Sequence, residues 1–65
     1  MGKAAKHWIL IVDDEPELRE IVADQLEEHF GDKAKIVQAG DGLEASRKLG
    51  FQAFDLIITD LKMPN

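Results

Sequence analysis

The 65 residues predict an α/β fold in which three parallel strands alternate with two helices, in the order β-α-β-α-β. Three features carry that expectation. An unbroken apolar run, WILIV, occupies residues 8–12. The pattern then switches to a helical period across residues 17–30. Strand-like and helix-like segments alternate again from residue 34 onward.

The first strand is expected over residues 8–13. Its β-branched run, ended by acids, suits a strand covered on both faces, as in a parallel sheet. The first helix is expected over residues 16–30. Leu18, Ile21, Val22 and Leu26 share one face, with Glu and Arg elsewhere. Pro16 suits the first turn, Asp14 or Glu15 the cap, and Gly31-Asp32 the stop.

A second strand, AKIVQA, is expected over residues 34–39. Lys35 and Gln38 mark it as an edge. Gly40-Asp41-Gly42 turns the chain into a second helix over 42–49, closed by Gly50. That helix has a thin apolar stripe of Leu43, Ala45 and Leu49. Ser46 stands where a larger apolar group would pack better. Phe51 and Phe54 read as core anchors before a third strand over 55–60. Residues 1–7 read as a flexible leader.

Right-handed crossovers make the three strands parallel. In doubly wound sheets the sites form outside the carboxyl ends of the strands, where the connections reverse direction. Strands one and three end at Asp13 and Asp60. With strand order 2-1-3, Asp13, Asp14 and Asp60 converge at one rim. Carboxylates brought together repel one another, and a divalent cation removes that penalty. Mg2+ takes hard oxygen ligands and often uses one or two carboxylates plus a phosphate. An aspartate beside it is a nucleophile toward phosphorus. A second reading stays open on the residues alone: Asp13 and Asp14 precede a helix, where acids cap free N–H groups, and Asp60 merely ends a strand.

Composition narrows the function classes. The formal charge is −5, from 13 acidic and 8 basic side chains, which argues against nucleic-acid binding. Cysteine is absent, so disulfides, thiol nucleophiles and Cys-based zinc sites are excluded. No apolar run approaches the ~20 residues of a membrane span. A cytoplasmic protein is expected. An independent enzyme is not: no Ser/His/Asp set or nucleotide-type phosphate loop is visible. Glu27, Glu28 and His29 are adjacent on a helix, so they diverge and read as a solvated face.

Three segments, ILIVDDEPELREIV, AGDGLEA and DLIITDLKMPN, together resemble the first half of a response-regulator receiver domain of two-component signalling. The resemblance runs from residue 8 to residue 65. It implies a truncated, flavodoxin-like βαβαβ half-domain. It implies that Asp60 is the phosphoacceptor, that Asp13 and Asp14 hold Mg2+, and that the backbone carbonyl of Lys62 is a further ligand. A histidine kinase is the implied partner. The hydroxyl residue, lysine and aromatic switch that the family carries in its second half fall outside these 65 residues. The isolated chain is therefore expected not to signal. The alternative is a structural fragment with no phosphoryl chemistry.

In the family's order, 2-1-3-4-5, the third strand is internal. Here it would be an open apolar edge, which invites pairing with another chain. A homodimer through the third strand, with sheet order 2-1-3-3′-1′-2′, is expected, and a domain-swapped oligomer is the competing route.

Overall fold

The computed structural model describes residues 6–59. The elements are β1 (His7–Val12), α1 (Pro16–Phe30), a single 3-10 turn (Gly31–Lys33), β2 (Ala34–Ala39), α2 (Gly42–Phe51) and β3 (Leu56–Thr59). The strands form one sheet in the order β2-β1-β3, with β1 parallel to both neighbours. This is the three-stranded α/β arrangement expected from the alternating pattern. Lys35 and Gln38 do lie on an edge strand.

The register explains which residues share a face. Leu10 stands opposite Val37 and Ile57, and Val12 opposite Ala39 and Thr59. Side chains alternate along a strand, so these positions form one face. Ala45 of α2 packs there, in a buried cluster with Leu10 and Ala39, flanked by Val12, Val37 and Phe54. Ile9, Ile11, Ile36 and Gln38 form the other face, where Arg19 of α1 bonds the Gln38 side chain. The two helices therefore take opposite faces of the sheet. Leu10 and Ile11, adjacent in sequence, fill the two sides and are the largest fully buried side chains among the described residues. Each contributes roughly 1.5–3 kcal/mol by leaving water.

Several details differ from the sequence reading. β1 begins at His7, which stands opposite Ala34, so His7 belongs to the sheet and not to a leader. Residues 1–5 of the expected leader lie outside the described residues. β1 ends at Val12 rather than Asp13, although the Asp13 N–H still donates to the Ala39 carbonyl at 3.1 Å. β3 begins at Leu56 because Asp55 departs from the ladder: its carboxylate accepts the Trp8 N–H at 2.8 Å while its own N–H donates to the Trp8 carbonyl.

α2 runs past Gly50 to Phe51. Gly50 does not stop it, because Gly31 is the glycine with positive φ among those described. The end comes where the Gln52 N–H closes on the Lys48 carbonyl at 3.0 Å. Phe51 is 91% exposed and is no core anchor. Phe54 partly fills that role, meeting Trp8 edge-to-face at 6.0 Å. Ile21, Leu43 and Leu49 are exposed, while Ala23 and Ala45 are buried. Small residues thus make the closest helix–sheet contacts, and the larger apolar groups sit to the side. Ser46 is exposed, so no larger group is missing from the core at that position.

Candidate functional site

The carboxyl ends of the strands gather the polar residues. Asp13 directly follows β1 and is only 7% exposed. Three of its groups are held. Its N–H donates to the Ala39 carbonyl, its carbonyl accepts from Arg19 Nη1 at 2.6 Å, and its Oδ1 accepts the Glu15 N–H at 2.8 Å. The last bond is an Asx-type turn, an aspartate side chain bonding the backbone two residues on. It decides the capping question. Glu15 is the N-cap residue of α1 but makes no side-chain cap bond, and Asp13 satisfies the N–H of Glu15 instead. Asp14 is exposed beside it.

β3 arrives alongside. Val12 pairs with Thr59, the last described residue. Asp60 and Lys62, the other two candidates, lie outside the described residues. Among the described residues, no three His, Cys, Asp or Glu side chains form a cluster able to hold a metal. The two described candidates, Asp13 and Asp14, directly follow β1 and carry carboxylates, the donor type Mg2+ takes.

A polar network supports this rim, and its members escaped the sequence reading. Arg19 lies off the apolar face of α1, yet it is half-buried against the sheet end. Its Nε donates to Gln38 Oε1 at 3.2 Å. The Gln38 carbonyl accepts from Lys48 Nζ at 2.8 Å, and Lys48 pairs with Glu44 at 3.4 Å. Glu44 Oε1 accepts the Gly40 N–H at 2.8 Å, while Asp41 Oδ1 accepts the Glu44 N–H at 2.8 Å. Asp41 and Glu44 stand at N-cap and N3, the spacing of a capping box, so residues 40–44 are tied at both ends. The Gly40 N–H, followed by Lys48, holds the Glu44 carboxyl below its ordinary value of 4.5. The available signal was Asp41 with Glu three residues later. Nothing in the local pattern pairs Arg19 with Gln38, which are 19 residues apart.

No helix of the described residues is long and apolar enough to cross a membrane. The family model for the response regulator receiver domain matches residues 9–65. The chain is 42% identical over 57 residues to the sensor histidine kinase RcsC of Salmonella typhimurium, covering 88% of this chain and 6% of that protein. It is also 42% identical over 57 residues to the sensor protein EvgS of Escherichia coli, covering 88% of this chain and 4% of EvgS. It therefore spans a small part of the curated relatives it matches. No solved structure matches it significantly. A match over nearly the whole chain, on a β2-β1-β3 parallel sheet with an acidic pair behind β1, makes this chain a member of the response regulator receiver domain family of two-component systems.

Proposed function

We propose that Asp60 accepts a phosphoryl group from a histidine kinase, and that Asp13, Asp14 and the backbone carbonyl of Lys62 hold the Mg2+ that assists. Receiver domains are phosphotransfer signalling domains, pair with histidine kinases and generally bind Mg2+. The observation that carries the reading is the parallel β1–β3 register. Val12 lies opposite Thr59 on neighbouring strands, which run ~4.7–4.9 Å apart. Asp13 and Asp60 are each the next residue along the chain.

In the proposed step a carboxylate oxygen of Asp60 bonds to phosphorus as the donor's P–N bond to the kinase imidazole breaks. The imidazole leaves with the electron pair and takes up a proton. Mg2+ held by Asp13, Asp14 and the Lys62 carbonyl would offset charge on the phosphoryl oxygens. Asp13 is held at its N–H, its carbonyl and one carboxylate oxygen, so little reorganisation is needed to receive the cation. The reading puts the domain in the cytoplasm. It does not extend to relay of the signal by these 65 residues alone, because the positions that the family uses for transmission fall outside them.

The test is incubation with a small phosphodonor and Mg2+, followed by intact-mass measurement. One phosphoryl adduct is expected, absent in Asp60→Asn and absent when Mg2+ is chelated. A folded wild-type sample without an adduct would favour the alternative, a structural fragment with no phosphoryl chemistry.

A second reading concerns assembly and rests on β3. Leu56 and Ile57 point to opposite faces, yet are 50% and 45% exposed. β3 is also an edge among the described residues and, unlike β2, carries no charged side chain. Unprotected apolar edges promote strand pairing. The 65-residue chain alone is expected to be a homodimer through β3, with domain exchange as the competing geometry. Size-exclusion chromatography with light scattering should give twice the chain mass at micromolar concentration. A folded monomer would contradict it.

A further inference from the structure

We propose that Arg19 is a positioning residue for the acidic rim: its guanidinium locks the backbone of Asp13 to β2, and so sets where the Asp13 and Asp14 carboxylates stand toward a divalent cation. The inference rests on the reading of that pair as cation ligands.

The geometry separates this role from an ordinary ion pair. Arg19 does not use its short bond on a carboxylate. Nη1 meets the Asp13 backbone carbonyl at 2.6 Å, and Nε of the same planar group meets Gln38 Oε1 at 3.2 Å. A bond of that length from a charged donor is charge-assisted and among the stronger kinds. One rigid fork thus ties the first turns of α1 to the carboxyl end of β1 and to a side chain of β2. Gln38 is itself restrained, since Lys48 of α2 donates to its carbonyl at 2.8 Å. Both helices are therefore fastened to the same end of the sheet, on either side of the aspartate pair. Asp13 bonds Ala39 through its N–H and Arg19 through its carbonyl, which leaves its backbone little freedom.

Charge and geometry make opposite predictions here. A guanidinium close to a divalent cation repels it, so its charge alone weakens cation binding. Removing Arg19 would then tighten binding. If its role is to place the aspartates, removing it weakens binding, as loss of outer-shell partners does by about 10–100-fold in metal sites. Arg19→Lys isolates the two effects. Lysine keeps the charge but has one compact ammonium, which lacks the fork that spans Asp13 and Gln38.

The test is Mg2+ titration of the whole 65-residue chain, followed by amide NMR shifts of Asp13 and Asp14, with urea midpoints measured in parallel. Arg19→Lys and Arg19→Ala are each expected to weaken Mg2+ binding about ten-fold. Gln38→Ala, which removes the other end of the fork, is expected to weaken it less, and to add little in the Arg19→Ala background. Ala23→Gly supplies the control: it destabilises α1 at a buried position outside the network and is expected to leave Mg2+ affinity unchanged in the folded fraction. Equal or tighter binding in Arg19→Lys, with wild-type binding intact, overturns the role of Arg19 alone. So does an affinity loss in Ala23→Gly that matches the Arg19 variants. No Mg2+ binding by the wild-type chain overturns the ligand reading and this inference with it.

Discussion

Leu10→Ala is expected to leave the chain largely unfolded at room temperature. Leu10 is 0% exposed and clusters with Ala39 and Ala45, small residues that cannot expand into the space it would vacate. Large-to-small changes at such sites cost about 2–5 kcal/mol. A single core in a chain this short rarely supplies more than about 3–5 kcal/mol, so the loss is comparable to the whole. Far-UV circular dichroism with urea titration checks this, with Leu49→Ala as the comparison. Leu49 is exposed, and its truncation is expected to change stability by less than about 0.5 kcal/mol. Comparable losses for the two would mean that the cluster on the α2 face is not the core.

Asp13→Asn is expected to have the opposite character, with fold kept and cation binding lost. The amide oxygen of asparagine can still accept the Glu15 N–H, so the turn into α1 survives. The backbone bonds to Ala39 and Arg19 do not depend on the side chain. What disappears is the negative charge. Loss of a carboxylate from the proposed ligand set is expected to weaken Mg2+ binding at least as much as the ~10–100-fold that loss of an outer-shell partner costs. Paired urea and Mg2+ titrations check it. Unchanged Mg2+ affinity in a folded Asp13→Asn sample would remove Asp13 from the proposed ligand set.

Most of the sheet was legible because its signals are local. WILIV suits a strand buried on both sides, and Leu10 and Ile11 fill the two faces. Lys35 and Gln38 marked β2 as an edge because a central strand would bury them. The helix faces were less legible. Ile21 matches the apolar period of α1, yet it is exposed, while Ala23 is buried. Periodicity finds an amphipathic face but does not say how wide the covering sheet is. Three strands offer a narrow platform, so flanking groups such as Ile21, Leu43 and Phe51 stay in solvent. Phe51 failed as an anchor for a further reason. α2 continues two residues past Leu49, through Gly50, and Phe51 ends it on the solvent side.

At the candidate site, the acidic pair was visible as DD behind a strand. Its supports were not. Arg19 and Gln38 meet only because α1 folds back over β2, and no local pattern records that meeting. Asp13 itself joins two readings that the sequence left as alternatives: it satisfies the turn into α1 through Oδ1 while standing at the mouth of the sheet.

The proposed juxtaposition of Asp13, Asp14 and Asp60 is tested most directly by paramagnetic NMR. Mn2+ takes the same hard oxygen ligands as Mg2+ and broadens nearby amide signals. Substoichiometric Mn2+ is expected to erase the Asp13, Asp14 and Asp60 amides first. Trp8 and Asp55, bonded to each other at the opposite end of the strands, each stand five residues before Asp13 and Asp60 in the sequence, and should stay sharper. A sharp Asp60 signal after those of Asp13 and Asp14 have vanished, or uniform broadening along the strands, would contradict a shared cation site.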